Sequence, residues 1–437
     1  MKKLFTSVLG VFVLCSSAQT WSPVSLGVNQ VVYSSVEYNG ELYVGGMFTT
    51  AGGAAADHIA KWNGTAWSAV GLGTNFTVQC MVVHNSELYV GGDFTTAGGT
   101  PANYIAKWDG VSWSALGSGF NNVVMSLAVY NGELYAGGLF TMSGSTTVNY
   151  IAKWTGSAWS ALGTGMSGGT NPWVFALQTY NGELYAGGWF NAGGGVITAT
   201  KIARWNGSAW ADVAGGMNNS GSNGVQAIAV YNGELYAAGS FMLAGGNPAA
   251  NIARWNGTSW LTASSGIGSM GEALAVYNGM LYAGGSFTLA GGNPVNHVAR
   301  WDGSFWYDLG QGTDVYAFAL TAYAGDLYVG GNFNNAGGSP ASRIARWNTP
   351  MGTDESGYGN EISISPNPSP GQFFITNLMN ANSMDVTIFN ILGGTVGVFH
   401  VNDTHAVINL DDVPNGIYII RASSATGLLV TKLIISK

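Results

Sequence analysis

Apolar and polar residues alternate in an eleven-residue segment that recurs seven times along the chain. The segment first appears as YNGELYVGGMF and returns as HNSELYVGGDF, YNGELYAGGLF, YNGELYAGGWF, YNGELYAAGSF, YNGMLYAGGSF and YAGDLYVGGNF. These copies begin at residues 38, 84, 130, 180, 231, 277 and 323, so they are spaced 46 to 51 residues apart. A period of this size indicates an array of one supersecondary unit. The chain therefore contains seven copies of one unit.

Each unit divides into four short strands. In the third copy these are VVMSLAVY, ELYAGGLF, YIAKW and SAWSAL. Across the copies the first strand is separated from the second mostly by Asn-Gly, and the third from the fourth mostly by Asn-Gly or Asp-Gly; both pairs favour two-residue hairpins. The other connections are longer and rich in Gly and Thr, so one face should carry tight turns and the other long loops. This pattern predicts an all-β fold with a seven-bladed β-propeller.

The seventh copy lacks a fourth strand, because the repeat ends after Trp347 and Asn348. The segment TWSPVSLG, from Thr20 to Gly27, is similar to the fourth strands and stands alone before the first copy. We predict that it pairs with the third strand of the seventh copy and closes the ring. Fourteen of the sixteen tryptophans then form structural pairs: 62/67, 108/113, 154/159, 205/210, 255/260, 301/306 and 347/21.

The LYVGG strand, followed by an outer strand that bears Trp, resembles the kelch family of propellers over about residues 20–349. The doublet glycines carry the resemblance. The IA[KR]W[ND]G strand departs from the family, because it replaces the usual kelch spacing of Tyr and Trp. That family includes both binding modules and oxidases, so the resemblance implies the fold and not the activity.

Residues 361–437 follow a polar linker at 350–360 and predict a small β-sandwich, with strands near ISISP, GQFFITN, MDVTIFNI, HAVINL, GIYIIRAS and LLVTKLIIS. Such a domain could be an adhesion or sugar-binding module. However, Pro366-Asn367-Pro368, Asn415-Gly416-Ile417-Tyr418 and a Lys in the last strand resemble the type IX (Por) secretion sorting domain. The resemblance implies a partner, the type IX machinery, and a product that is secreted or attached to the outer cell surface.

The first residues, 1–18, have the pattern of a secretory signal peptide: two lysines, an apolar run and small residues before the cleavage site. A membrane anchor is the weaker alternative, because about 11 apolar residues are fewer than the roughly 20 that span a bilayer. The interpretation of Cys15 as a lipoprotein cysteine is also weak, because Leu14 stands where a small residue is expected. After cleavage only Cys80 remains, so no intramolecular disulfide can form.

Composition narrows the choice of partners. Only 8% of the residues are charged, and the net charge of −8 comes without any basic run. The chain therefore lacks the clustered basic residues that bind a phosphate backbone, and nucleic acid is not expected as a partner. The 67 glycines and the 12% of aromatic residues agree with many short strands and little helix.

The charged residues of the predicted propeller are mostly repeated, which argues against a catalytic role. The acid before Leu-Tyr and the base of IA[KR]W recur once per copy, so we expect cross-strand ion pairs such as Glu41 with Lys61. No metal-ligand spacing appears, and Cys80 lies in an apolar run that predicts a core position. We therefore predict no catalytic residue, cofactor or metal. The remaining acids are scattered: Glu37, Asp57, Asp93, Asp212, Glu272, Asp308 and Asp314.

Two tryptophans do not follow the repeat, and both belong to the fourth copy: Trp173 in TNPWVF and Trp189 in GGWF. The two longest loops flank the same copy. An exposed Trp beside amide groups is typical of sugar recognition. The indole ring stacks on the apolar face of the sugar, and the amides donate and accept hydrogen bonds with its hydroxyl groups. The alternative is that Trp189 only fills a packing position. The predicted ligand-binding residues are Trp173, Trp189, Asn171, Asn218, Asn219 and Asn223.

These observations favour a secreted or cell-surface protein that binds or adheres without catalysis, with a glycan or surface polymer as its ligand. The alternative is a secreted carbohydrate-active enzyme with its active site at the central channel. Acids and histidines that converge at one mouth of the channel would favour the enzyme. The sequence identifies neither the ligand nor the oligomeric state.

Overall fold

The protein is described here from a computed structural model, which defines residues 20–169, 172–196, 198–218, 224–348, 362–366, 369–377, 383–390, 395–402, 405–424 and 427–437. The predicted signal peptide and the predicted linker lie outside these residues. The chain divides into two compact units, with Gln19–Thr349 in one and Pro350–Lys437 in the other. The described residues form strands and turns but no helix. None of them therefore provides a helix that could cross a membrane.

The described residues of the first unit form forty-three strands, many of them only two residues long. The first is β1 (Thr20–Pro23). The first two copies of the repeat form β2 (Val32–Tyr38), β3 (Glu41–Gly46), β4 (Thr50–Ala51), β5 (Ala54–Ala55), β6 (Ile59–Trp62), β7 (Trp67–Ala69), β8 (Val78–His84), β9 (Glu87–Gly92), β10 (Thr96–Ala97), β11 (Thr100–Pro101), β12 (Ile105–Trp108) and β13 (Trp113–Ala115). The third and fourth copies form β14 (Val124–Tyr130), β15 (Glu133–Gly138), β16 (Met142–Ser143), β17 (Thr146–Thr147), β18 (Ile151–Trp154), β19 (Trp159–Ala161), β20 (Met166–Ser167), β21 (Trp173–Tyr180), β22 (Glu183–Trp189), β23 (Ala192–Gly193), β24 (Ile202–Trp205) and β25 (Trp210–Asp212). The last three copies form β26 (Met217–Asn218), β27 (Gly224–Tyr231), β28 (Glu234–Ser240), β29 (Leu243–Ala244), β30 (Asn247–Pro248), β31 (Ile252–Trp255), β32 (Trp260–Thr262), β33 (Gly271–Tyr277), β34 (Met280–Gly285), β35 (Leu289–Ala290), β36 (Asn293–Pro294), β37 (Val298–Trp301), β38 (Trp306–Asp308), β39 (Ala317–Tyr323), β40 (Asp326–Gly331), β41 (Asn335–Ala336), β42 (Ser339–Pro340) and β43 (Ile344–Asn348).

The long strands of this unit form seven four-stranded antiparallel sheets, which we number 1 to 7 in chain order. Sheet 1, for example, has the order β2-β3-β6-β7. The first strand of each sheet, its inner strand, contacts the inner strand of the next sheet, and β39 of sheet 7 contacts β2 of sheet 1. In six of the seven sheets strand two contains a Gly-Gly pair that allows close packing: a Cβ on Gly45 would collide with Val78 of the next sheet.

In sheets 1 to 6 the two hairpin turns differ, and the prediction for the second one was wrong. Asn39 and Gly40 both have positive φ, 50° and 74°, as a two-residue type I′ turn requires. The turn between strands three and four instead has four residues, because Trp62 pairs with Trp67. The Asn63 side-chain oxygen accepts the N–H groups of Thr65 and Ala66 at 2.9 and 2.8 Å, which stabilises the longer turn.

Sheet 7 combines the two ends of this unit, since its order is β1-β43-β40-β39. Trp21 pairs with Trp347 in register, and their ring centroids are 5.2 Å apart. The six other tryptophan pairs have centroid distances of 5.2 to 5.4 Å. The pairing of Thr20–Pro23 with the third strand of the seventh copy is therefore the one that the sequence predicts.

The predicted cross-strand ion pairs are confirmed in six sheets. Lys61 lies 2.8 Å from Glu41, and the other five pairs have distances of 2.8 to 3.4 Å. In sheet 6, Met280 replaces the acid and lies 3.7 Å from Arg300. All these groups are partly exposed, so each pair contributes at most about 1 kcal/mol. Their role is structural.

The second unit is a sandwich of two sheets. Its strands are β44 (Ile362–Ser365), β45 (Gln372–Asn377), β46 (Met384–Asn390), β47 (Thr395–Val401), β48 (His405–Asn409), β49 (Gly416–Ser424) and β50 (Gly427–Ile435). The sheet orders are β44-β45-β48 and β47-β46-β49-β50. Phe373, Val386 and Ile420 are among its fully buried core residues. Strand β47 is absent from the sequence prediction, which identified the other six.

Candidate binding site

Every inner strand begins with a β-bulge, and the bulges differ in the side chain that they carry. In sheet 1 the register shifts between Val32 and Ser34, which leaves Tyr33 without a cross-strand partner. A bulged residue makes no ladder pair, so its side chain can vary without loss of pairing. The seven bulge residues, in sheet order, are Tyr33, Gln79, Met125, Phe175, Gln226, Glu272 and Phe318.

The inner strands of all seven sheets line one cavity of about 230 Å³. Five bulge residues contribute to its wall: Tyr33, Met125, Phe175, Glu272 and Phe318. The bulges lie where each inner strand starts, at the end of the sheet that carries the long connections. The cavity therefore has a mouth toward the long loops, and its lining differs from sheet to sheet.

Trp173 and Trp189 contact each other next to Phe175, one of the residues that line this cavity. Trp173 begins β21 and Trp189 ends β22, so the strand register places them opposite each other. Their ring centroids are 5.3 Å apart and the rings are nearly perpendicular, at 83°. Trp173 also contacts Phe175, with 5.7 Å between centroids. Since Phe175 lines the cavity, this ring contact links the tryptophan pair to one residue of the cavity wall.

Neither of these tryptophans is a core residue. Both side chains are half-buried. The hydrophobic clusters found among the described residues include paired tryptophans such as Trp205 and Trp210, but they include neither Trp173 nor Trp189. Because indole rings at the surface keep apolar area in contact with water, the pair offers a stacking surface.

Of the four asparagines predicted to bind a ligand, the structure describes one. Asn218 is exposed at the end of β26, opposite Leu243. Asn171, Asn219 and Asn223 lie outside the described residues. Gly224 lies close to the strand that contains Trp189, because a Cβ on Gly224 would collide with the backbone oxygen of Gly188.

A buried lysine next to the tryptophan pair was not predicted. Lys201 is 4% exposed, and its backbone oxygen and N–H bond Gly188 and Phe190, on either side of Trp189. Burial lowers the pKa of this lysine. Lys201 occupies the repeat position that contains His58 and His297, and all seven residues there have φ between 62° and 73°. The sequence showed this position to be variable, but nothing in the sequence indicated burial.

A second aromatic group lies at the mouth, contributed by sheets 6, 7 and 1. Tyr33 and Phe318 have ring centroids 5.6 Å apart, and Phe318 lies 6.2 Å from Tyr316. Tyr316 in turn contacts His297 at 5.5 Å. Aromatic rings thus reach the cavity from sheet 4 and from sheets 7 and 1.

Glu272 lines the cavity as the bulge residue of sheet 6. Burial raises its pKa to about 7. The pKa of Tyr33 is also raised, first by burial and then by the nearby charges of Asp93 and Glu272. Among the described lining residues Glu272 is the single carboxylic acid. The sequence had placed it among the scattered acids.

The protonation of Glu272 couples stability to pH. The folded state holds this proton more tightly than the unfolded chain, whose Glu pKa is about 4.3. At pH 4 the carboxyl group is largely protonated in both states and reduces the stability little. As the pH rises toward 7 and above, the free energy of unfolding decreases, because the folded state resists ionisation of Glu272. We expect Glu272→Gln to raise the free energy of unfolding by about 3 kcal/mol at pH 8 and by little near pH 4.

Urea unfolding at both pH values measures this difference. Glu37→Gln is the matched control, because Glu37 is exposed on the inner strand β2. A Glu272→Gln variant whose advantage is the same at both pH values would contradict the burial of an ionisable Glu272.

Neither a reactive thiol nor a metal site is supported by the described residues. Cys80 is buried, and burial raises the pKa of its thiol, so it is not a thiolate at neutral pH. No group of three or more His, Cys, Asp or Glu residues that could hold a metal was found in the part of the chain that the structure describes.

Family comparisons identify the second unit and the fold of the first. Residues 363–436 match the model of the secretion system C-terminal sorting domain. Residues 325–353 match a β-propeller domain of unknown function, DUF5122. A comparison with curated proteins found no match. The predicted sorting domain is thus confirmed.

Two solved extracellular or surface proteins are similar to this chain. The extracellular domain of a hybrid two-component system from B. thetaiotaomicron covers 96% of this chain and 58% of its own length, at 12% identity and a TM-score of 0.50. PorZ, an essential surface component of the type IX secretion system of Porphyromonas gingivalis, covers 94% of this chain and 60% of its own, at 15% identity and a TM-score of 0.42. This chain therefore spans about three fifths of the length of either protein.

The sorting domain determines where the protein acts. Such a domain directs a protein through the type IX secretion system, whose machinery is therefore a partner of this chain. The predicted location is confirmed: the protein is secreted or lies on the outer cell surface. The first unit, a β-propeller, is what this route delivers.

Proposed function

We propose that residues 19–349 form a seven-bladed, kelch-like β-propeller closed by β1, and that this propeller is a non-enzymatic binding module. In this proposal residues 1–18 direct the chain to the inner membrane, 350–360 link the two domains, and 361–437 direct export. The ligand is a glycan or another surface polymer, bound at the tryptophan pair.

A repeated hydrogen bond between sheets supports a closed ring. The indole N–H of each outer-strand tryptophan donates to a carbonyl of the preceding sheet. Trp67 of sheet 1 donates to Val24, in the segment after β1, at 3.0 Å. Trp21 donates to Leu309 of sheet 6 at 2.7 Å. The residues around β1 therefore make the same bonds on both sides that the other outer strands make.

The opposite face supports closure in the same way. The Tyr38 hydroxyl of sheet 1 donates to the Ser86 carbonyl in the first turn of sheet 2, at 3.0 Å. Tyr323 of sheet 7 makes the equivalent bond to Gly40 of sheet 1, at 3.1 Å. Sheets 7 and 1 are thus connected as other neighbouring sheets are.

The observation that carries the binding role is the partly exposed pair of Trp173 and Trp189, which contacts Phe175 of the cavity wall. One indole face can stack on the apolar face of a sugar ring, while nearby amide and backbone groups can bond its hydroxyls. Asn218 lies at the end of the neighbouring short strand β26 and is exposed. The buried Lys201 is held next to Trp189 by its backbone bonds to Gly188 and Phe190.

The enzyme alternative has less support. Hydrolysis of a glycoside generally uses two carboxyl groups about 5 to 10 Å apart. The described residues that line the cavity provide one, Glu272. A binding role needs no such pair.

Removal of either tryptophan tests the binding site. We expect Trp173→Ala and Trp189→Ala each to weaken glycan binding by about 1 to 3 kcal/mol, because a stacking anchor is lost. The melting temperature should change little, since neither ring belongs to a core cluster. A glycan array screened with the purified protein identifies the ligand, and calorimetry then measures its affinity for each variant.

Phe305→Ala is the matched control, since Phe305 is a 64% exposed aromatic residue in the four-residue turn of sheet 6. It should bind as the parent protein does. If the tryptophan variants instead lose about 3 to 5 kcal/mol of stability, and the folded fraction binds normally, both residues are packing residues and the proposal is wrong.

A further inference from the structure

Glu272 is an acid in the cavity wall, and no cationic partner for it was found in the part of the chain that the structure describes. The bulge in β33 leaves it outside the strand ladder, and it lines the cavity. No ion pair or hydrogen bond of its carboxyl group was found among the described residues, whereas six acids of the repeat are paired with Lys or Arg. The described cavity wall includes no Lys, Arg or His. A buried carboxylate without a partner is costly, so a ligand that supplies positive charge would be favoured.

The rest of the wall is suited to an organic cation. Phe175 lines the cavity from sheet 4, and Tyr33 and Phe318 line it from sheets 1 and 7. The face of an aromatic ring attracts a cation through its quadrupole, and this attraction increases when water is excluded. The same rings provide apolar contact for the hydrocarbon part of a ligand.

A metal ion fits this cavity less well. Calcium binds six to eight oxygen atoms, and magnesium demands six in octahedral geometry. One carboxylate among aromatic and aliphatic side chains does not provide them, and no metal-binding group was found among the described residues. A protonated amine, by contrast, needs one carboxylate and tolerates apolar surroundings.

We infer that the cavity at the ends of the inner strands binds a small organic cation, a protonated amine, whose charge is held by the Glu272 carboxylate against Tyr33, Phe175 and Phe318. The raised pKa of Glu272 agrees with this assignment, because a bound ammonium would offset the cost of ionisation. The inference rests on the propeller being a binding module. It does not require that the tryptophan pair binds a glycan.

The test compares two ligands of nearly the same shape on the full secreted chain. Cyclohexylamine is protonated at pH 8, and cyclohexanol is neutral. We expect calorimetry to show binding of the amine that is about tenfold or more tighter than that of the alcohol, because only the amine forms an ion pair and a cation–π contact. In Glu272→Gln the amine should lose most of its preference over the alcohol, because the ion pair is removed and only the cation–π contact is left, whereas Glu37→Gln should keep the full preference.

Each result decides the inference. It is overturned if the parent protein binds neither ligand or binds both equally, or if Glu272→Gln keeps the preference for the amine. Since Glu272→Gln is expected to be at least as stable as the parent protein, lost binding cannot be attributed to unfolding. Trp173→Ala separates the two proposals: it should weaken glycan binding while the preference for the amine persists, and either result can fail without the other.

Discussion

Deletion of residues 19–27 should leave the propeller unable to fold stably. The deletion removes β1, and with it the ring contact of Trp21 with Trp347 and its hydrogen bond to Leu309. It also removes Val24, which is 2% exposed. Strand β43 would then be an unpaired edge with exposed tryptophan surface, which favours aggregation.

The expected loss is large relative to the stability of a domain. Removal of a tryptophan from a packed site costs about 3 to 5 kcal/mol, and the lost strand pairing and Val24 add to this. Most domains have only about 5 to 15 kcal/mol in total. We therefore expect the deletion variant to be largely insoluble, and Trp21→Ala to be soluble with a clearly lower melting temperature.

Two controls separate closure from general effects of deletion. Removal of nine residues within 350–360 should change the thermal stability little. A circular permutant should also fold: it joins Asn348 to Thr20 through a short turn and opens the chain within the four-residue turn at 63–66. Thr20 and Asn348 are already opposite each other in the ladder, so the new turn continues an existing hairpin. Equal melting temperatures for the 19–27 and linker deletions would refute the closed ring.

The repeat explains why so much of the strand pairing could be read from the sequence. Each position of the repeat occurs in several copies along the chain. Trp21 could therefore be recognised as the missing partner of Trp347. The pairing of Glu41 with Lys61 was predicted because both residues recur once per copy. The same comparison could have shown that Trp173 and Trp189 are adjacent, because one begins a first strand and the other ends a second.

Features that depend on geometry rather than on repeated residues were missed. No single residue type marks the bulge position in all seven sheets. The sequence therefore did not show that Glu272 and Phe175 line one cavity. Strand β47 (Thr395–Val401) was missed because it follows Gly393-Gly394 and contains Gly397, which favour a turn. The burial of Lys201 depends on how the neighbouring segments pack over it, and a polar residue at a variable position does not indicate burial.

Deletion of residues 361–437 should abolish export while the propeller stays folded. The sorting domain within these residues is what the secretion machinery recognises. The sheets of the first unit are complete at Asn348, where β43 pairs with β1, so the deletion removes no strand from them. We expect the truncated protein to be lost from the medium and the cell surface and to accumulate in the periplasm.

The fate of the truncated protein distinguishes sorting from folding. Fractionation and immunoblotting locate the propeller, and its melting temperature after purification should equal that of the propeller transition in the full chain. A reciprocal fusion of residues 361–437 to an unrelated periplasmic protein should send that protein out of the cell. Normal secretion of the truncated chain would show that export does not depend on this domain. A lowered melting temperature would instead show that the second unit stabilises the first, because a domain used only for sorting contributes no stability to the domain that it carries.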